Sequence, residues 1–329
     1  MLVKVFFNII FCLYLINFGN FCYAKSEQYQ VISTFSDINI VKNNKNKKYG
    51  LINNNGQIIL STEFEDIQPV SKKNNRLYPD KNLITITKNN KKGLYSINGQ
   101  RIIFPIYKEI YAFNNENYFC IKDINSKIGL IYLKKNQLEY KLIELLPCVY
   151  DEIQKEVIFQ KKDRFLIAEK NKKIGIIRLS NKNVLEITPF IYDKLDDFYY
   201  IKNNIIFILE KDLKYNFVYM TGETITNNDS YTILLNNPAI FKIGNGKKYA
   251  VINLENKEKT DFIFDDIKKD KNNNIKVKYN GKWHYLYPKE AFKKAVENTG
   301  LKVIQLGLWV LAPITVPAII GTVIYSNSK

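Results

Sequence analysis

One short motif recurs seven times along the chain and constrains its fold more than any other feature. A lysine, a bulky residue, a small residue (most often glycine) and two aliphatic or aromatic residues follow one another at intervals of about 40 residues. The small position is held by Gly50, Gly93, Gly129, Gly175, Asn216, Ala250 and His284. Repeats of this length bury their apolar faces only against their neighbours, so the sequence predicts a tandem array.

Each copy contains several short segments with the alternation of a β-strand. In the second copy the predicted strands are Leu83–Lys88, Lys92–Ile97, Arg101–Phe104 and Glu109–Phe113. Asn98 and Gly99 form a strong tight-turn signal, and Pro105 is expected to end the third strand. The high aromatic content, 14% of the chain, also favours strands. The predicted fold class is therefore all-β.

Four strands and about 40 residues per unit are typical of a propeller blade. We predict a seven-bladed β-propeller over residues 25–287, in which Tyr29–Phe35 completes the last blade beside Ile275–Tyr279 and Lys282–Tyr287. Sharing one blade between the chain ends would hide open sheet edges. An open solenoid of β-hairpins remains the alternative, because repeats need only pack on their neighbours.

The motif resembles the WG-repeat family over roughly Tyr29 to Tyr287. The signature residues are Tyr49, Gly50, Gly93, Gly129, Gly175 and Trp283, followed in three copies by Pro105, Pro147 and Pro189 before a tyrosine and an acid. Trp283 supplies the tryptophan of the family, although His284 replaces its glycine there. The resemblance implies repeats, but it implies no activity, ligand or partner.

The first 24 residues have the pattern of a secretory signal peptide. Lys4 supplies a positive start, Val5 to Ile16 is almost wholly apolar, and Cys22, Tyr23 and Ala24 precede the expected cleavage site. An uncleaved membrane anchor is the alternative. We therefore expect an exported protein with its repeats outside the cytoplasm.

The C-terminal region has the composition of a membrane anchor. Residues 288–302 are predicted to form an amphipathic helix or linker, and residues 303–325 contain no charged side chain. Such a run can cross a hydrocarbon layer of about 30 Å as a helix. We predict a transmembrane helix over 303–325 and a short tail over 326–329, with a buried hydrophobic hairpin as the alternative.

Residues suited to catalysis are few. His284 lies in a repeat position and is expected to be structural, while Cys120 and Cys148 are expected to form either a disulfide or two separate buried thiols. Carboxylates remain as candidate acid and base groups: Asp196, Asp197, Asp265, Asp266 and Asp270. Because acids also recur in equivalent repeat positions, we predict no catalytic residue, metal ligand or cofactor.

The formal net charge is +17, and lysines cluster in a turn of several repeats. These lysines are Lys45, Lys47, Lys48, Lys91, Lys92, Lys172, Lys173, Lys247 and Lys248. In a propeller they would form a partial positive ring that contacts an anionic lipid surface or an acidic envelope polymer. A solvated rim is the alternative, since a composition rich in Lys, Asn and Ile would produce it.

The predicted function is a membrane-tethered, non-enzymatic binding or scaffold module with a protein partner. Two alternatives remain: binding of an envelope polymer or anionic lipid through the basic rim, and carbohydrate cleavage by paired carboxylates. Nucleic acid is not an expected partner, because the repeats are predicted to lie outside the cytoplasm.

Overall fold

Antiparallel strands make up most of the described chain. This computed structural model describes residues 28–73, 80, 82–114, 117–136, 139–161, 163–180, 183–288, 304–306 and 309–313. Within those residues 29 strands form seven sheets, six with four strands and one with five. The all-β prediction and the repeated four-stranded unit are confirmed, and both are consistent with propeller blades. The chain divides into two compact units, residues 1–153 and 154–329.

The first unit contains three sheets whose strands follow one another in chain order. The first sheet comprises β1 (Tyr29–Phe35), β2 (Ile38–Asn43), β3 (Tyr49–Asn53) and β4 (Ile58–Phe64). The second comprises β5 (Asp66–Pro69), β6 (Leu83–Lys88), β7 (Lys91–Ser96) and β8 (Arg101–Tyr107). The third comprises β9 (Glu109–Ala112), β10 (Tyr118–Lys122), β11 (Ile128–Asn136) and β12 (Glu139–Tyr150).

Four further sheets follow, the first of which begins at the boundary of the second unit. They comprise β13 (Glu152–Phe159), β14 (Asp163–Lys170), β15 (Lys173–Ser180) and β16 (Asn183–Tyr192); then β17 (Lys194–Ile201), β18 (Asn204–Lys211), β19 (Lys214–Tyr219) and β20 (Thr224–Asn228). The next comprises β21 (Ser230–Leu235), β22 (Ile240–Gly244), β23 (Tyr249–Asn253) and β24 (Glu258–Lys259). The last has the order β25-β26-β27-β29-β28 and comprises β25 (Asp266–Lys269), β26 (Ile275–Tyr279), β27 (Lys282–Pro288), β28 (Ile304–Leu306) and β29 (Trp309–Pro313).

Apolar side chains fill the space between successive sheets within each unit. In the first unit, Ile40 and Leu51 of the first sheet lie in one buried cluster with Ile84 and Ile86 of the second. Comparable clusters join the second sheet to the third and, in the second unit, each pair of successive sheets. Burying one such side chain stabilises the fold by about 1.5–3 kcal/mol, so stacking of the repeats supplies most of the core.

The predicted repeat boundaries are displaced by one strand. Glu109–Phe113 was expected to be the fourth strand of the second repeat, but Glu109–Ala112 is the first strand of the third sheet. Asp66–Pro69 supplies the first strand of the second sheet instead. Only Lys108 separates β8 from β9, so no turn signal in the sequence marks the step from one sheet to the next.

The repeat glycines face a bulge in the fourth strand of their sheets. Gly50 lies in β3, and its neighbours Tyr49 and Leu51 pair with Phe64 and Leu60. Three residues of β4, 61–63, therefore lie opposite Gly50, two more than in a regular ladder. The same spacing occurs opposite Gly93, Gly129 and Gly175. A Cβ on Gly50 would lie 2.6 Å from the carbonyl oxygen of Leu60. The close approach of the bulged strand therefore requires glycine at this position.

The other three repeats lack glycine because the facing chain differs. Asn216 pairs directly with Asn227, and His284 pairs directly with Pro313 in a regular ladder. Opposite Ala250 the residues 261–263 lie outside any strand. The three signature prolines lie in the bulges. Pro105 was expected to end its strand, but β8 continues to Tyr107, because a bulge needs no N–H from proline for the ladder.

The predicted pairing of the chain ends is wrong. Tyr29–Phe35 pairs with Ile38–Asn43 in the first sheet, while β29 and β28 complete the last sheet next to β27. A short turn after β1 makes the local hairpin the nearest available partner, since closing a short loop costs little entropy.

The described part of the predicted transmembrane helix consists of two strands. Ile304–Leu306 and Trp309–Pro313 form a hairpin whose second strand pairs with Lys282–Pro288. A helix is not observed there, because β-branched and aromatic residues pair equally well in strands. No helix among the described residues is long and apolar enough to span a bilayer. The predicted signal peptide, the amphipathic segment 289–302 and the tail 326–329 lie outside the described residues.

Candidate functional site

An ion pair recurs in five of the repeats and joins the motif lysine to the acid that follows the fourth strand. The pairs are Lys48–Glu65, Lys127–Asp151, Lys173–Asp193, Lys214–Asp229 and Lys248–Asp265. In the first four pairs the lysine directly precedes the residue that pairs with the end of the fourth strand, so the ladder sets the two side chains close together. Lys248 precedes Tyr249, which forms an isolated bridge with Phe264. The carboxylates expected to serve a turn or strand start therefore have a defined contact.

Glu65 and Asp193 also accept backbone N–H groups from a turn of the next sheet. Glu65 accepts the N–H of Asn90 at 2.9 Å, and the backbone of that turn has positive φ at two successive residues. This hydrogen bond, together with that of Asn89 and the charge of Lys48, lowers the pKa of Glu65. The hydrogen bond from Lys173 and the N–H of Asp212 lower the pKa of Asp193 in the same way. Glu65 and Asp193 thus each fasten one sheet to the following one.

The predicted rim lysines differ in whether they form ion pairs with carboxylates. The turns that carry them join the second and third strands of their sheets, not the first and second as expected from the displaced repeat boundaries. Lys48, Lys173 and Lys248 form the recurring ion pairs. Lys45, Lys47, Lys91 and Lys247 make no side-chain ion pair with a described residue, while Lys172 has electrostatic contacts of its own. The ion pairs therefore neutralise part of the predicted positive rim.

The second repeat departs from this pattern at two positions, both occupied by lysine. Lys92 lies where the other repeats have Tyr49, Ile128, Ile174, Tyr215, Tyr249 and Trp283. Lys108 lies where five other repeats have an acid, and its Nζ donates to Oγ of Ser126 at 3.0 Å. Lys91 therefore has a lysine at the repeat position where five other motif lysines have a carboxylate.

A pocket of about 460 Å³ lies in the first unit next to this exceptional repeat. Its walls carry four lysines, namely Lys72, Lys73, Lys92 and Lys122. Three carboxylates also line it, namely Glu109, Asp151 and Glu152. Of these seven residues the sequence-based rim included only Lys92. The signal that could have found the pocket is the replacement of an apolar repeat residue by lysine.

Two of the lysines in this pocket are paired with its carboxylates. Lys73 lies 2.6 Å from Glu152, and Lys122 lies 3.7 Å from Glu109. The third carboxylate, Asp151, forms the recurring ion pair with Lys127. Neither Lys72 nor Lys92 makes an ion pair with a described residue, and both are half-buried.

Cys120 and Cys148 are free thiols in the third sheet. Of the two alternatives expected for them, the structure shows separate thiols. Burial raises the pKa of Cys120 to about 12 and that of Cys148 to about 11. The thiolate is the reactive form, so neither residue has the lowered pKa of a nucleophile.

The carboxylates considered for acid–base catalysis each have a polar partner. Asp196 accepts the hydroxyl of Tyr231 at 2.5 Å, and Asp197 accepts that of Tyr199 at 2.7 Å. Asp265 pairs with Lys248, and Asp266 lies 2.6 Å from Lys242. Asp270 accepts the N–H groups of Asn272 and Asn274, both at 2.9 Å.

The pKa values of three of these carboxylates are lowered, whereas a general acid needs a raised pKa. The hydrogen bond from Lys248 lowers the pKa of Asp265, and hydrogen bonds from Lys242 and from the Ile267 N–H outweigh burial to lower that of Asp266. Hydrogen bonds within its turn, again against burial, lower the pKa of Asp270. A general acid requires a raised pKa, so these three groups are poorly suited to that role.

Exposed apolar side chains lie in or beside the bulges of the fourth strands. In the first unit Phe104 is 56% exposed and Ile106 is 55% exposed, on either side of Pro105. Val149 lies at the corresponding place in β12, and Ile191 in β16 of the second unit is also exposed. The guanidinium of Arg101 stacks on the ring of Phe104 at 3.8 Å. Each of these strands is the last in its sheet, so the bulges lie at sheet edges.

Comparison with known families agrees with this architecture. Residues 49–91 and 249–283 match the family described as WG containing repeat. These two segments match WG repeats. The first matched segment begins with Tyr49 and Gly50, and the second ends at Trp283. The resemblance predicted from the sequence is thus confirmed. The remaining copies have their motif in the third strand of their sheets, as the two matched WG repeats do.

A comparison with curated proteins finds no match. Among solved structures, the chain is similar to dihydro-heme d1 dehydrogenase NirN, with 8% identity and a TM-score of 0.25 over 80% of this chain and 61% of that one. It is also similar to Sqt1 of Saccharomyces cerevisiae, with 12% identity and a TM-score of 0.26 over 64% of this chain and 69% of that one. The alignment therefore spans less than two thirds of NirN. Scores this low do not establish a shared fold, so no property of these proteins is transferred to the WG repeats.

Proposed function

We propose that the protein is a non-enzymatic binding scaffold whose WG repeats form a seven-bladed β-propeller and contact a protein partner. The proposal includes export and attachment to a membrane by the C-terminal apolar segment. Its main support is the set of exposed apolar side chains at the bulged edges of the sheets. Such side chains are costly to leave in water, and clusters of them are typical of interaction surfaces.

The bulges favour contact through side chains over addition of a strand. A bulge and a proline interrupt the row of N–H and C=O groups that another strand would need. In β8 this interruption lies between Phe104 and Ile106, which remain exposed. We therefore expect the partner to present an apolar groove that receives these side chains. An acidic border on that groove would complement Arg101 and the net charge of +17.

Crosslinking in intact cells, followed by affinity purification of the full-length protein, tests this function. A single protein recovered in near-equal amount supports the scaffold. Recovery should be lost in the double variant Phe104→Ser/Ile106→Ser. The matched control is Ile124→Ser/Leu213→Ser, which removes two apolar side chains that are 73% and 82% exposed in turns. Equal recovery with both variants would contradict the proposed surface.

A second candidate function is binding of an anionic envelope polymer or lipid surface through the basic turns. The observation that favours it is that Lys45, Lys47 and Lys91 make no side-chain ion pair with a described residue. Changing these three lysines to glutamine should abolish salt-sensitive binding to vesicles that contain anionic lipid. Changing the paired lysines Lys48, Lys173 and Lys248 to glutamine serves as the control. Unchanged vesicle binding of the first variant would exclude this function.

The proposed membrane tether requires the segment 303–325 to cross the bilayer as a helix. In the hairpin, Ile304–Leu306 and Trp309–Pro313 instead pair as strands. A tethered protein should resist alkaline carbonate extraction and lose that resistance when residues 303–325 are deleted. Release of the full-length chain by carbonate would favour the hairpin.

The proposed closed propeller is tested by small-angle scattering, in which an elongated particle would indicate the open solenoid.

A further inference from the structure

The pocket in the first unit has two positive charges beyond those of its ion pairs. Glu109, Asp151 and Glu152 are matched by Lys122, Lys127 and Lys73. Lys72 and Lys92 remain, and both are half-buried. Because a partly desolvated ammonium group gains much from a nearby negative charge, the pocket attracts an anion.

The position of Lys92 is a second, independent observation. The six other repeats have an aromatic or aliphatic residue in this slot, where it packs on the sheet. Lys92 lacks that apolar packing, and Lys108 in the same repeat replaces the acid of the recurring ion pair. Departures from a pattern that the rest of a molecule follows are expected at functional positions.

We propose that this pocket binds a hydrophilic, sugar-sized compound with one anionic group, a phosphate or a carboxylate, held by Lys72 and Lys92. The volume of about 460 Å³ falls within the range of small-molecule sites. Glu109 and Glu152 provide acceptors for hydroxyl groups, while Lys73 and Lys122 provide donors. The lining of the pocket shares no residue with the exposed apolar side chains that the proposed scaffold uses.

Isothermal titration of the full-length protein tests the site with three probes: glucose 6-phosphate, glucuronate and glucose. We expect at least one of the two anions to bind, with glucose much weaker, and we expect 0.5 M NaCl (about a 4 Å screening length) to weaken the binding. The bound anion identifies the group as phosphate or carboxylate. Absence of binding by both anions, or equal binding of glucose, would overturn the proposal.

Lys92→Gln should weaken anion binding about tenfold, the usual effect of losing one charge-assisted hydrogen bond. The matched control is Lys91→Gln, which removes the adjacent charge outside the pocket and should leave binding unchanged. Lys92→Ile restores the residue type of Ile128 and should fold with at least wild-type stability yet lose binding. Equal affinity of Lys92→Gln and Lys91→Gln would overturn the assignment. Partner recovery should be unaffected by either variant, which separates this site from the scaffold function.

Discussion

The ammonium group of Lys173 forms an ion pair with Asp193, whose second carboxylate oxygen accepts the N–H of Asp212 at 2.8 Å. Asp193 directly follows β16, and Asp212 lies in the turn between β18 and β19. One carboxylate therefore joins two successive sheets. Glu65 has the same two contacts, with Lys48 and with the turn of Asn89 and Asn90. The motif lysine and the following acid thus join neighbouring sheets in both repeats.

This fastening predicts a loss of stability in acid. The pKa of Asp193, Glu65 and Asp265 is lower in the folded protein than in the unfolded chain. Their contribution is therefore fully present above the unfolded pKa of about 4 and is lost as the pH falls below it. Thermal unfolding of Asp193→Asn should occur below that of the wild type at pH 7, with the difference shrinking toward pH 3. Parallel curves for the two proteins would contradict the role of Asp193, and Asp37→Asn, in a turn without an ion pair to a described residue, serves as the control.

The bulge opposite Gly50 predicts that Gly50→Ala is destabilising. The added methyl group would lie 2.6 Å from the oxygen of Leu60 and 2.9 Å from Cγ2 of Thr62, so the bulged strand must move. We expect a loss of about 2 kcal/mol in the free energy of unfolding, measured by urea denaturation. Ala250 occupies the equivalent position without a bulged strand opposite, so Ala250→Gly should cost only about 1 kcal/mol. Equal stability of Gly50→Ala and wild type would show that the bulge does not depend on glycine.

Restoring the acid of the second repeat should stabilise the protein. In Lys108→Glu the new carboxylate can pair with Lys91, as Glu65 pairs with Lys48 in the first repeat. The expected gain in the free energy of unfolding is up to about 0.5 kcal/mol, because the pair is exposed to solvent. High salt should reduce this gain, and it should vanish when Lys91→Gln is combined with Lys108→Glu. A gain that persists in the double variant would have another origin than the ion pair.

The hydroxyl of Tyr231 predicts a loss of stability in alkali. Burial, followed by the hydrogen bond to Asp196, raises the pKa of Tyr231 well above its usual value. A raised folded-state pKa contributes stability that is fully present below the unfolded pKa of about 10 and is lost as the pH rises above it. Tyr231→Phe should lower the free energy of unfolding by about 1 kcal/mol at pH 8 and should flatten its decline above pH 10. Tyr200→Phe, at a side chain that is 56% exposed, is the control and should keep the decline of the wild type.

Several features could be predicted from the sequence because they depend on local spacing. The motif positions lie in the third strand of every sheet, as their regular recurrence along the chain suggests. The two-residue turns Asn89–Asn90 and Asn171–Lys172 have the positive φ angles that asparagine tolerates. The displaced sheet boundaries could not be predicted. A period gives the length of a unit, but Lys108 alone carries the chain from β8 to β9, and a single lysine is no turn signal.

The pocket could not be predicted from the sequence. Among its charged residues, only Lys92 had been singled out as a candidate binding residue. Lys72 lies between β5 and β6, whereas Lys122 lies in β10, 50 positions further along the chain. Their proximity depends on the stacking of the second and third sheets, which buries Leu94, Ile110 and Phe119 in one cluster. The rim lysines were found by composition, but their pairing with acids of the same repeat required the register of each ladder.

The sequence by itself determined that this chain is a β-rich array of repeats of about 40 residues, because alternation, turn residues and period are properties of neighbouring positions. Only the tertiary structure decided which strands share a sheet, why four repeats require glycine, and which lysines form ion pairs. These properties arise from contacts between segments far apart in the chain. The register of hydrogen bonds and the packing between sheets fix them, and a one-dimensional pattern contains neither.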